Sequence, residues 1–529
     1  MFYFLKLDST TLHQRSPAIL FLLFFVFAGN FMLQAQQTNV VDFLRIEASI
    51  GTKADEKKVE GKFLTAFKVL KETDSIFMDA VNIQINDIKT ANFKITYDEK
   101  KVWFVGNFEV GTTYKADFYY EMKPKQTLYF FGDEIWTQGQ GKYTSHWLPS
   151  IDDVNDKIEF DLQLLAPIDK VVIANGKLID YGNLHEVNTW RFNMKNPMSS
   201  YLVAFAIGDF NKRELVSNSG IPIELYFTPK DSLKVEPTYR YSKEIFDFLE
   251  TEIGVPYPWQ NYKQVPVRDF LYAGMENTTL TIFSQAFVVD STGFNDRNYV
   301  NVNAHELAHQ WFGNLVTEKA GEDHWLQEGF ATYYALLAEK EIFGDDYYYW
   351  QLYQTAEQLK AMSDEGQGES LLNPKASSLT FYQKGAWALH ILRERIGEDA
   401  FKLAIKNYLE KYKFKNVATQ DFLNEVKNVS DVDISTFEKD WLQQTAFQSE
   451  DAYQSLLKSA FIRKYFEISA LRAVPFSDKK IQFNRTSGNT FSIEHDSSQI
   501  YFYNETTSTA AFLINNNSVA TFTGYIHLN

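Results

Sequence analysis

The chain has 529 residues, of which 52 are basic and 68 acidic, giving a formal charge of −16; nucleic-acid binders concentrate Lys and Arg, so this balance excludes such a partner. A hydrophobic fraction of 45% with 16% aromatics describes an ordered globular chain, and the length predicts about three domains. The absence of cysteine excludes disulfides, thiolate metal sites and cysteine nucleophiles, so any metal must be held by His, Asp or Glu.

In chain order, the first feature is an apolar run from Ala18 to Ala28, preceded by Lys6 and Arg15. At about eleven residues it falls short of the roughly 20 that a membrane span needs, and it matches the apolar centre of a secretory signal. Residues 1–35 are therefore expected to be a signal peptide cut after Ala35, with the body exported to the periplasm or the extracellular space. An uncleaved N-terminal anchor is the alternative. No later stretch is apolar enough to span a bilayer, so no membrane span is expected in the mature chain.

Residues 40–228 alternate with period two and are rich in β-branched residues, as in VNIQIN from Val81 and KVWFVG from Lys101, which predicts an N-terminal antiparallel β-sandwich or saddle domain. From Lys230 the period changes. Val235 to Ile253 reads as helix, VPYPWQNYKQVP as a proline-punctuated loop, and Phe270 to Phe287 as β-like. Within Ala386 to Tyr412, Leu389, Leu392 and Ile396, then Phe401, Ile405 and Tyr408, form buried helical stripes. Residues 229–450 are expected to be a mainly α-helical domain. Residues 451–529 are expected to be a short C-terminal segment, helical to about Tyr465 and β-like from about Ile481. The overall class is multidomain α+β.

The chemistry concentrates in His305-Glu306-Leu307-Ala308-His309. Histidines at i and i+4 share one helix face and can reach one metal ion, with Glu306 beside them to take a proton from water. Gly313 is a plausible stop for that helix. A catalytic zinc takes three protein ligands and leaves one position open, and the third candidate is Glu328 in HWLQEGFATYY, eighteen residues beyond His309. Asp323 is placed to cap that second helix, and Ala331, Ala335 and Ala338 let it pack closely. Two imidazoles and one carboxylate suit one Zn2+ ion, with a facial-triad iron site as the alternative. His146, His324 and His390 are read as structural or surface residues.

These motifs resemble the gluzincin zinc aminopeptidases of the aminopeptidase N and leukotriene hydrolase family. HELAHQWFGN and the glutamate of WLQEGFATYY carry the likeness, together with Ala273-Gly274-Met275-Glu276-Asn277, Tyr382-Gln383-Lys384-Gly385 and Thr137-Gln138-Gly139-Gln140-Gly141. In the second segment the family usually has Gly-Ala, a swap expected to leave an edge strand intact; Gln383 stands where Glu is usual. The resemblance covers roughly residues 40 to 465.

It implies a thermolysin-like catalytic domain behind the β domain, with the active site in the cleft between them. It also implies hydrolysis of the N-terminal residue from peptides with a free N-terminal amine. His305, His309 and Glu328 would hold the zinc, Glu306 would act as the base, and Tyr382 would steady the oxyanion. Glu276 and Gln140 would bind the amine within the Gly274, Met275 and Asn277 segment, and Gln138, Tyr272 and Met275 are candidate walls of the first side-chain pocket. A catalytically silent peptide-binding relative, an endopeptidase and an epoxide hydrolase on the same scaffold are the competing readings.

Overall fold

The structure is a computed structural model. It describes residues 37–90, 92–140, 143–472 and five tail strands between 482 and 523. The apolar run from Ala18 to Ala28 lies outside the described residues. No helix among the described residues is long and apolar enough to cross a membrane.

The period-two region folds as sheets. Seven strands assemble in the spatial order Lys177–Leu184, Val187–Asn193, Glu159–Pro167, Val41–Lys53, Lys58–Val69, Thr113–Met122 and Gln84–Thr90. The one parallel pair in this sheet joins Val41–Lys53 to Glu159–Pro167. In Val41–Lys53 the alternation slips between Phe43 and Ile46, where the pairing register shifts; a bulge at that point returns the apolar side chains to the core face. A smaller sheet of Thr73–Asp79, Lys101–Phe108 and Lys94–Tyr97 adds a second layer, where Phe67 stacks on Phe104 at 5.4 Å. A four-stranded sheet, including Glu134–Thr137, Phe205–Gly208 and Val171–Ala174, delivers the chain to Gln138 and Gln140.

The next sheet is mixed and sits beneath the helices. Its strands are β1 (Asn211–Val216), β2 (Pro222–Phe227), β3 (Tyr262–Val267), β4 (Gly274–Met275) and β5 (Leu280–Ser284), in the order β1-β2-β3-β5-β4. Strand β3 corrects the sequence reading, which placed this segment in a proline-punctuated loop. Pairing of β2 with β3 ends at Gln264, while β3 runs on beside β5 through Pro266 and Val267. Pro266 therefore has a strand on one side only, where a missing N–H is tolerated.

Among the helices, the predicted 235–253 segment is two pieces, Val235–Tyr239 and Ser242–Ile253. Helix α1 (Val300–Ala308) carries the paired histidines, α2 (Trp325–Phe343) the candidate third ligand, and α3 (Asp345–Asp364) follows directly. Every residue of α2 from Trp325 to Glu339 is buried, as befits a central helix. Gly397, at φ 86°, divides Gly385–Ile396 from Glu398–Tyr412. The cap assigned to Asp323 is a second correction. No side chain caps α2; the Asp323 carboxylate instead accepts from the N–H and hydroxyl of Thr419 at 2.6 and 2.9 Å, at the start of another helix. The tail strands Gln482–Ser487, Thr490–Asp496, Gln499–Asn504, Thr509–Ile514 and Ser518–Thr523 pair as an antiparallel meander.

Polar contacts fix the β region against the helical region. Lys263 Nζ donates to the Ala174 carbonyl at 2.8 Å, and Asn175 Nδ2 donates to the Thr278 carbonyl at 2.6 Å. Arg268 reaches Glu134 at 3.0 Å, and the Trp136 indole donates to the Arg268 carbonyl at 3.1 Å. Burial pushes the Lys263 ammonium down to about 8. These bonds seat the strand ends near Gln138 against the 274–279 segment.

Candidate metal centre

His305 and His309 leave the same face of α1, one turn apart. Their Nε2 atoms lie 3.0 Å from each other, and Glu328 Oε2 lies 3.3 Å from the first and 3.4 Å from the second. Metal–ligand bonds of about 2.0–2.2 Å in a tetrahedron put neighbouring donors about 3.3 Å apart, so this triangle has the size of a zinc ligand set. The imidazole of His309 is oriented for it, since Nδ1 lies 2.9 Å from the Phe312 carbonyl. A proton on Nδ1 leaves the Nε2 lone pair free toward the triangle. Glu328 Oε2 is buried and without a hydrogen-bond partner. An ionised oxygen is held in this way where a cation completes the site, and the donor set fits one Zn2+.

A second acidic group adjoins the first. Carboxylate oxygens of Glu276 and Glu306 and a ring nitrogen of His309 lie within 4.8 Å of one another. Burial, with Glu328 and Glu276 adding to it against the pull of His309, pushes the Glu306 carboxyl well above its ordinary range. Burial likewise raises Glu276, against His309 and with Glu328. Although burial favours its neutral form, His309, His305 and His324 hold Glu328 well below the carboxylate range. Burial disfavours a charged His309, yet Glu328, Glu276 and Glu306 lift it to about 10. So many buried carboxylates around one point call for positive charge there.

Backbone approach explains the spacing of these groups. Strand β4 is the sheet edge, paired antiparallel to β5, and a Cβ added to Gly274 would lie 2.5 Å from Glu306 Oε1. The Ala-Gly swap keeps the edge strand and lets the Glu306 carboxylate rest on the Gly274 backbone. Beyond Glu328, Gly329 meets Gly385, where an added Cβ would lie 2.9 Å from the facing Cα. That contact brings the π-helical turn Leu379–Lys384 beside the ligands. The Tyr382 ring stacks parallel to His305 with centroids 5.4 Å apart. Burial, followed by Glu328, raises the Tyr382 hydroxyl pKa, so it stays protonated as a donor.

Two cavities meet at this centre. Gln140, Glu276 and Glu328 line both; His305, Glu306, His309, Tyr382, Gly274 and Tyr272 line the second, of about 470 Å³. Gln138, Met275 and Asn277 line neither. Gln138 Nε2 lies 4.0 Å from Met275 Sδ, and Asn277 Nδ2 donates to the Leu202 carbonyl at 3.3 Å. Gln138 thus packs on Met275, and Asn277 ties the segment to the β region.

Several contributors escaped the sequence reading. Gln310 and Asn314 donate side-chain N–H groups to the Glu276 carbonyl at 3.2 and 2.7 Å, tying the acidic socket to the end of the histidine helix. Their signal was their place inside HELAHQWFGN. His324, read as structural or surface, adjoins the centre: Nδ1 lies 2.6 Å from Glu318 Oε2 and Nε2 3.7 Å from Glu328 Oε1. Its i, i+4 spacing to Glu328 was the available clue. Tyr201, from the β region, is half-buried, with a buried hydroxyl that has no partner, and lines the first cavity.

Residues 43–202 match the Peptidase M1 N-terminal domain and residues 238–441 the Peptidase family M1 domain. The glutamyl aminopeptidase of Bos taurus is 28% identical over 313 residues, 56% of this chain and 33% of its own length. The probable aminopeptidase 1 of Sulfurisphaera tokodaii is 27% identical over 422 residues, 74% of this chain and 52% of its own. The chain thus spans about a third of the length of the glutamyl aminopeptidases it matches. Among solved structures, an M1 zinc metallopeptidase of Deinococcus radiodurans bound to a Tyr-Ser-Ala substrate superposes with a TM-score of 0.66 at 19% identity. It covers 77% of this chain and 95% of that one.

Proposed function

Because the chain belongs to peptidase family M1, we propose that it is a zinc-dependent aminopeptidase that removes the first residue from peptides with a free amine. One observation carries this reading: an anionic socket, Glu276, lies within 4.8 Å of Glu306 and His309, directly beside the ligand triangle. A substrate ammonium held by Glu276 in a charge-assisted hydrogen bond, with Gln140 as a neutral acceptor, places the first carbonyl over the triangle. An internal peptide bond has no ammonium to offer this socket.

The bound zinc supplies Lewis-acid polarisation of the carbonyl and acidifies a water molecule. His305, His309 and Glu328 would hold it. Glu306 is the base: its carboxylate takes the proton of the attacking water and returns it to the leaving amine. Tyr382 donates its O–H to the carbonyl oxygen as negative charge builds there. The apolar run at residues 18–28 supports export to the periplasm or the extracellular space.

Alanyl p-nitroanilide is the direct test. Hydrolysis is expected, with loss on treatment with a zinc chelator and recovery on adding zinc. N-acetylated peptides are expected to resist; equal cleavage of acetylated and free peptides overturns the amine socket.

A further inference from the structure

The second cavity does not end at the metal centre. Four residues of α2 face it, Glu328, Thr332, Leu336 and Glu339, at i, i+4, i+8 and i+11, which is one helix face. At about 1.5 Å per residue, Glu339 lies about 16 Å along α2 from the ligand glutamate. Asn301, one turn before His305 on α1, also lines this far end, with Tyr347 on α3.

Glu339 is only 4% exposed. Its carboxylate accepts from Asn301 Nδ2 at 2.8 Å and from the Tyr347 hydroxyl at 3.0 Å. Both partners are neutral, each oxygen retains acceptor capacity, and among the described residues no lysine or arginine lines the cavity. Burial raises this carboxyl above its ordinary range, against the two hydrogen bonds. Halfway along the same face, Thr332 is 7% exposed and its Oγ1 has no partner. That oxygen is itself buried, so it is not open to the cleft.

Charge counting separates Glu339 from the other three carboxylates of the cavity. One zinc ion and one substrate ammonium bring three positive charges, matching Glu276, Glu306 and Glu328. Among the described residues, Glu339 has no counter-charge. We propose that this cleft is a subsite for the peptide chain downstream of the cleaved bond, with Glu339 selecting a cationic side chain. The inference rests on the aminopeptidase reading, which fixes the amine at Glu276 and sends the rest of the peptide past Tyr382 along α2. An extended chain rises about 3.3 Å per residue. Allowing for the reach of a lysine or arginine side chain, Glu339 meets the third to fifth residue. The preferred substrates are therefore oligopeptides with a basic residue at one of those positions.

The test uses alanine hexapeptides with one lysine, norleucine or glutamate at position three, four or five, and kcat/KM measured for the full chain. Lysine is expected to exceed norleucine roughly tenfold or more at one position, the size of a charge-assisted hydrogen bond, with the change in KM and with glutamate poorest. Glu339→Gln, checked for folding by its thermal melt, is expected to bring the lysine-to-norleucine ratio to about one. A flat series in the wild type overturns the proposal whatever the variant does, as does a folded Glu339→Gln enzyme that keeps the ratio. Failure of the wild type on alanyl p-nitroanilide removes the aminopeptidase reading itself; turnover of that substrate with a flat hexapeptide series removes only the downstream subsite.

Discussion

The molecule buries histidine in two ways. At His390, Nδ1 lies 3.0 Å from the Tyr348 hydroxyl and Nε2 lies 2.8 Å from the Ser455 hydroxyl, so both ring nitrogens are satisfied by neutral groups. At the metal centre, two Nε2 atoms face each other 3.0 Å apart with a carboxylate oxygen closing the triangle. Both places look alike in sequence: His390 has Glu394 at i+4, just as His324 has Glu328. The difference is convergence without hydrogens to share. A satisfied ring is packing, whereas acceptors aimed at one point mark a cation site.

The largest expected effects break the metal side of this contrast. His305→Ala should lose both zinc and turnover, while Glu306→Gln should keep zinc and lose about 10²–10⁴-fold in kcat. Elemental analysis beside kinetics reads this split, and equal metal loss in the two variants contradicts the roles assigned. Tyr382→Phe should lower kcat about 10²–10³-fold with the zinc content unchanged. Asn314→Ala removes one of the two donors on the Glu276 carbonyl. With Gln310 still donating, the loss of one hydrogen bond costs about 0.5–1.5 kcal/mol, expected as a modestly raised KM for peptides with free amines at constant zinc content.

The smallest effect sharpens the packing side. Burial pushes His390 down to about 4, against Glu394, below its unfolded value of about 6.5. Between those values the unfolded chain takes up a proton that the folded chain refuses. Its contribution is therefore complete above about pH 6.5 and is lost as pH falls toward 4, at up to about 1.4 kcal/mol per pH unit. Thermal melts across this window should show Tm falling with pH, and His390→Gln should flatten that slope.

Legibility in the sequence followed the range of the interaction. Period-two alternation announced the β region because each strand carries its own burial pattern, and the i, i+4 histidines announced the metal face because helix geometry is local. Strand β3 was hidden by its prolines, since only its neighbours reveal that Pro266 lacks a strand on one side. Asp323 was assigned to the nearest helix in sequence, while its carboxylate caps one almost a hundred residues away. His324 was passed over because its partners, Glu318 and Glu328, mean nothing until a turn folds them together.

By itself, the amino-acid sequence determined the donor types and their periodicity, so the identity of the chemistry was in place before any fold. Tertiary structure decided where that chemistry points. Gly329 against Gly385 brings Tyr382 to the ligands, Gln310 and Asn314 hold the Glu276 socket, and α2 extends the cleft as far as Glu339. Each of these depends on backbones meeting across long sequence separations, and such closeness is a property of packing that no local pattern of residues encodes.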